Sequence, residues 1–129
     1  MQKLKYEKSW EQNLSQPDRN KFELAFPQID FSELEKIDTT SFWYAENHRE
    51  ELLFTVLVHN QSDTTLTFKD TPITLDNSDG IIAEHTFTIP QLEIPPETSM
   101  PWTFIFPKGN WKASTLDNEQ DYKLKIPAQ

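Results

Sequence analysis

The clearest signal along the chain is a two-residue rhythm of apolar and polar positions that starts near Phe42. Leu52, Phe54, Val56 and Val58 form an unbroken apolar face, while Glu51, Thr55 and His59 populate the other, as in a β-strand with one side in a core. Leu53 and Leu57 fall on that second face as well, which predicts that it too is covered, the N-terminal helix being the natural cover. Trp102, Phe104 and Phe106 alternate with Thr103 and Ile105 in a second central strand. Between these two, Leu66 and Phe68 keep the pattern after a turn at Asn60-Gln61-Ser62-Asp63, and Ile73 and Leu75 follow Pro72. The next run places Ile81, Ala83, His85, Phe87 and Ile89 on one inward face against Ile82, Glu84, Thr86 and Thr88, until Pro90 ends it. Leu92 and Ile94 make a short further piece, residues 111–120 read as irregular, and Tyr122, Leu124 and Ile126 close the chain with lysines opposite. Asp76-Asn77-Ser78-Asp79-Gly80 reads as a hairpin loop in which Gly80 is free to take positive φ.

The first third follows a different grammar. Leu4 and Tyr6 alternate with Lys3, Lys5 and Glu7, which suits a short edge strand guarded by lysine. Ser9 and Gln12 have the spacing of a capping box. Ser15, Pro17 and Asp18 start a second helix whose Phe22, Ala25 and Phe26 share one face and which Pro27 stops. Trp10 is placed to pin this helical segment to the sheet. Ser32 with Glu35 marks a further short turn inside a connector spanning 27–39. Short strands at this spacing, punctuated by Pro and Asx residues, predict a mainly β fold: an immunoglobulin-like two-sheet β-sandwich over 40–127 with a short helical N-terminal segment over 1–39, together one domain of 129 residues.

Composition narrows the functional classes. A chain of this length buries enough surface to fold without a disulfide or a metal, and the absence of cysteine removes thiolate nucleophiles and thiolate metal sites. The net charge is −9, concentrated in residues 46–99, where ten acidic residues face only Arg49 and Lys69. Such a field disfavours nucleic acid and anionic lipid as partners. Gly80 and Gly109 are the only glycines, too few for a phosphate-cradling loop. The basic N-terminus is not followed by an apolar stretch, and the run from Leu52 to Val58 is far too short for a membrane span, so a cytoplasmic chain with no membrane span is expected.

Candidate chemistry is sparse. His48, His59 and His85 lack metal-ligand spacing, so a site using His59, His85 and nearby carboxylates requires assembly across strands. A buried, hydrogen-bonded neutral ring is the simpler expectation for His85. No nucleophile elbow is present, and the pairs Glu50-Glu51 and Asp76-Asp79 suit solvated turns, although Asp76-Asp79 also admits a weak Ca²⁺ site. No cofactor is called for. Among the four tryptophans, Trp102 reads as core, while Trp43 and Trp111 are candidate interaction residues. For Trp111, capping the open end of the sandwich is an equal alternative.

The segments Glu51 to Asn60, Ala83-Glu84-His85-Thr86-Phe87 and Ile94 to Pro107, with Ser9-Trp10 and Leu14-Ser15 to Asp18-Arg19 ahead of them, resemble the SLAP domain. That family takes its name from the S-layer assembly protein of the accessory Sec export system in Gram-positive bacteria, where the module resembles a duplicated one; this chain carries a single copy. The resemblance implies a noncatalytic role near protein export or surface-layer assembly, with no catalytic residues to carry over. The leading expectation is a protein-binding or adaptor domain contacting that machinery. The alternatives are a small metal-dependent binder or enzyme built on His59 and His85, and a self-associating structural unit forming a homodimer.

Overall fold

The computed structural model describes residues 1–112 and 121–127. Of the stretch read as irregular, only Trp111 and Lys112 lie among the described residues. The element order is β1 (Lys3–Leu4), α1 (Lys8–Asn13), α2 (Gln16–Ala25), β2 (Ile37–Glu46), β3 (Leu52–Asn60), β4 (Leu66–Asn77), β5 (Gly80–Ile94), β6 (Thr98–Phe106) and β7 (Lys123–Lys125). These strands build a four-stranded sheet in the order β1-β6-β3-β2 and a three-stranded sheet in the order β5-β4-β7. Only β1 runs parallel to its neighbour; it pairs Lys3 and Leu4 with Thr98 and Ser99 at the sheet edge.

Leu52, Phe54, Val56 and Val58 of β3 meet Phe68, Ile73, Leu75 and Phe87 of the facing sheet in one apolar core, as the two-residue rhythm predicts. The Phe87 ring stands edge-on to Phe104 at 5.3 Å and to Phe106 at 5.4 Å, joining the two layers. One side of the sandwich is closed by side chains of β2: Thr39 Oγ1 donates to the Leu124 carbonyl at 2.6 Å and Ser41 Oγ to that of Tyr122 at 3.0 Å. The architecture is mainly β in two sheets, consistent with the immunoglobulin-like arrangement expected.

The outer face of the larger sheet is also covered along the later part of β3. Thr55, Leu57 and His59, which point away from the second sheet, are buried. Their cover is the N-terminal segment. Phe22 of α2 has no exposed surface, and its ring lies 4.8 Å from Phe42, 5.3 Å from Trp43 and 6.2 Å from Trp10. Pairing in β2 steps from Ser41↔Val56 to Trp43↔Thr55, leaving Phe42 as an extra residue; this bulge brings Phe42 and Trp43 together under α2. Trp10 also reaches Trp102 at 6.1 Å, so the pinning role predicted for it is observed.

Several local expectations are corrected. The Ser9 capping box does not form: the Glu7 carboxylate caps α1, accepting from the Ser9 amide at 3.1 Å and from its hydroxyl, because a charged acceptor at the positive helix end is stronger than a hydroxyl. Asp30, not Ser32, caps the 3₁₀ turn Phe31–Glu33. The connector is shorter than read, since β2 begins at Ile37. Pro90 does not end its strand; β5 runs on to Ile94 because several extra residues between the pairs Phe68↔Ile89 and Leu66↔Ile94 accommodate the proline. Likewise Pro72 lies inside one continuous β4, at a point that β7 does not reach. The inward face of β5 is also shifted at its start: Ile81 is 51% exposed and Ile82 only 4%, because Ile82 is the extra residue between Leu75↔Ala83 and Asp76↔Ile81. The Ser15 cap and the hairpin at Gly80, whose φ is +117°, form as expected.

If Phe22 seats the helical segment, Phe22→Ala should destabilise the fold by about 3–5 kcal/mol, whereas Leu24→Ala, at a residue 74% exposed, should change stability by no more than about 0.5 kcal/mol. Urea unfolding of the two variants checks this; equal effects would mean that the contact of Phe22 with the sheet is unimportant.

Candidate functional site

His59 lies near the end of the interior strand β3, on the outer face of the larger sheet, with no exposed surface. Its Nδ1 is 2.6 Å from Ser99 Oγ of β6 and its Nε2 is 2.7 Å from Thr40 Oγ1 of β2. Gln2, beside β1, donates from Nε2 to Ser99 Oγ and to the Asn60 carbonyl, both at 3.2 Å. One line of side chains therefore crosses the whole sheet from β1 through β6 and β3 to β2. The Gln2 amide nitrogen donates to Ser99 Oγ, and the Ser99 and Thr40 hydroxyls, each able to donate or accept, satisfy the two ring nitrogens. Phe31 closes over the imidazole edge-on at 5.1 Å.

Burial is the main reason that the His59 pKa is lowered from 6.5 to about 4; nearby Asp38 pulls it up and Lys123 pushes it further down. Burial also raises the Asp38 carboxyl, but hydrogen bonds from Lys123 and from the amides of Glu35 and Thr39 outweigh it and leave the pKa below the ordinary carboxylate value. The histidine is thus a neutral, doubly hydrogen-bonded ring between strands, with no vacant nitrogen for a metal or substrate.

The structure does not bring His59 and His85 together. His85 belongs to β5 in the other sheet, where it pairs across with Ile73. It lies on the inward face but only half-buried, edge-on to Phe87 at 4.9 Å, with Nδ1 3.3 Å from Asn110 Nδ2. His48 is exposed in the β2–β3 turn. Asp76 directs Oδ2 to Lys125 at 3.1 Å, and its other oxygen is buried without a partner among the described residues. No group of three or more His, Cys, Asp or Glu positioned to hold a metal occurs among the described residues, and His59 and His85 lie in different sheets.

Both candidate tryptophans are half-buried and engaged. Trp111 pairs with Ala83 at the outer edge of β5, packs against the core, and donates from Nε1 to the Glu50 carbonyl at 2.9 Å. Glu50 has φ +59° in a turn organised by Asn47, whose Oδ1 accepts from the amides of Arg49 and Glu51. Trp111 thereby ties the outer edge of β5 to the turn between β2 and β3. Trp43 carries Lys21 Nζ 4.9 Å above its ring, and the same ammonium lies 3.7 Å from Asp18 Oδ1. Trp43, Trp10, Leu14, Asp18 and Thr103 line an open groove of about 450 Å³. The groove leaves no local mark in the sequence, because Trp10, Trp43 and Thr103 are distant in the chain.

Taken together, these features define a mainly β two-sheet domain with a helical cover and aromatic side chains at its rim. The model of the SLAP domain family matches residues 4–128, and the chain belongs to that family, whose name links it to surface-layer assembly in general. No curated protein and no solved structure matches the chain significantly. No helix among the described residues is long and apolar enough to cross a membrane.

Stability should follow the His59 proton. Unfolded chains bind it near pH 6.5 and the fold only near pH 4, so between those values the unfolded state holds more protons. This contribution is present above pH 6.5 and is lost as pH falls to 4, amounting to about 3 kcal/mol in all. Unfolding free energies measured across that window should fall for the unaltered chain and show a shallower slope for His59→Gln; a flat profile in the unaltered chain would contradict a buried neutral ring.

Proposed function

We propose that this chain is a noncatalytic protein-binding domain that works inside the cell, in contact with accessory Sec export or surface-layer assembly machinery. The observation that carries this reading is the family match across residues 4–128. The surface adds support of its own. Trp43 and Trp111 are each only half-buried, and tryptophan is among the residues that most often carry the binding energy of protein interfaces. Beyond its short pairing with β1, the outer side of β6 also offers a strand edge to which an extended segment adds by main-chain hydrogen bonds. The polar side chains on the line from Gln2 to Thr40 are meanwhile spent on one another.

Cross-linking of the tagged full chain in the cells that express it, followed by identification of the captured proteins, tests the reading. The expected result is a stoichiometric partner from export or cell-surface assembly machinery. Recovery of the chain alone, with a mass in sedimentation that rises with its own concentration, would replace the adaptor reading with that of a self-associating unit.

A further inference from the structure

The hydrogen-bonding ladder on the outer side of β6 stops short. Lys3 and Lys5 donate to the carbonyls of Glu97 and Ser99 at 2.9 Å each, so odd-numbered residues of β6 direct their main-chain groups to this side. By strand alternation the next outward groups are the carbonyl of Pro101 and both the N–H and C=O of Thr103 and Ile105. The chain has by then left the edge to form α1, and among the described residues no strand pairs with β6 there. Thr103 is half-buried and Ile105 is 44% exposed. Thr103 also lines the groove of about 450 Å³ that lies between α1 and Trp43.

The groove states which side chain it takes. Lys21 already rests its ammonium over the Trp43 ring and beside Asp18, yet its side chain is 60% exposed, so the pairing is loose and replaceable. Asp18 supplies the carboxylate and Trp43 the ring face that such a cationic group needs. We propose that the open edge of β6 at Thr103 and Ile105, with the adjoining groove between Trp10 and Trp43, is a docking site for an extended, lysine- or arginine-bearing segment of a partner protein. The segment adds a strand to the larger sheet and sets one cationic side chain over Trp43 beside Asp18. This proposal rests on the protein-binding reading and names the surface and the chemistry of the partner.

The test is an NMR titration of the full chain with a capped seven-residue peptide of alternating lysine and valine, alongside the same peptide with glutamate for lysine. The lysine peptide should shift the Thr103 and Ile105 amide resonances and slow their hydrogen exchange, while the glutamate peptide should not. Ile105→Pro removes one outward donor and should weaken binding about tenfold, whereas Ile105→Ala, which keeps the donor, should not. Asp18→Asn, at an exposed side chain that leaves the strand edge intact, should weaken binding of the lysine peptide severalfold. No shift at Thr103 and Ile105, or equal response to both peptides, would overturn the proposal. A cellular partner recovered equally well by the unaltered and Ile105→Pro chains would also overturn it, while leaving the protein-binding reading in place.

Discussion

A central strand whose two faces are both apolar cannot be served by a facing sheet alone, since that sheet shields one face and leaves the other in water. β3 is such a strand: from Phe54 to Asn60 every residue is buried, on both faces. The inward face is met by the second sheet, and the outward face needs a separate layer. Burying a side chain of this size stabilises a fold by about 1.5–3 kcal/mol, so leaving Leu57 and its neighbours bare would give up a large part of the stability of a small domain. The N-terminal segment is that layer, and much of the remaining structure follows from seating it.

Two kinds of contact do the seating. Apolar contact is concentrated in Phe22, held among Trp10, Phe42 and Trp43, with the β2 bulge supplying two rings where regular alternation would supply one. Polar contact runs through Gln2, Ser99, His59 and Thr40, one side chain per strand, so that the covered outer face contains a histidine whose nitrogens are both satisfied. The same geometry explains why the histidine is poorly suited to chemistry and well suited to fixing the order of four strands. It also leaves the first helix beside the β6 edge, where the groove opens.

Where local pattern and tertiary need agreed, the fold was legible in the residues. The two-residue rhythm of β3 and β6, the Gly80 hairpin, the Ser15 cap and the cover over Leu57 could all be read in advance. The departures in β5 share one cause: Ile82 and residues around Pro90 are extra residues at breaks in its register, as Phe42 is in β2, and an extra residue reverses alternation without leaving a mark in composition. The Glu7 cap was missed because a nearby hydroxyl with ideal spacing drew the assignment. The surroundings of the candidate residues were less legible, since the Glu50 carbonyl that receives Trp111 and the Thr103 that shares a groove with Trp43 lie far away in sequence.

Native-state hydrogen exchange with increasing denaturant measures most directly whether helix and sheet form one structure. With the N-terminal segment serving as the second wall of β3, the amides of Phe22 and of Leu57 should open together, converging on the free energy of global unfolding. Release of the Phe22 amide at a much lower free energy, with Leu57 still protected, would show that the larger sheet stands without its cover.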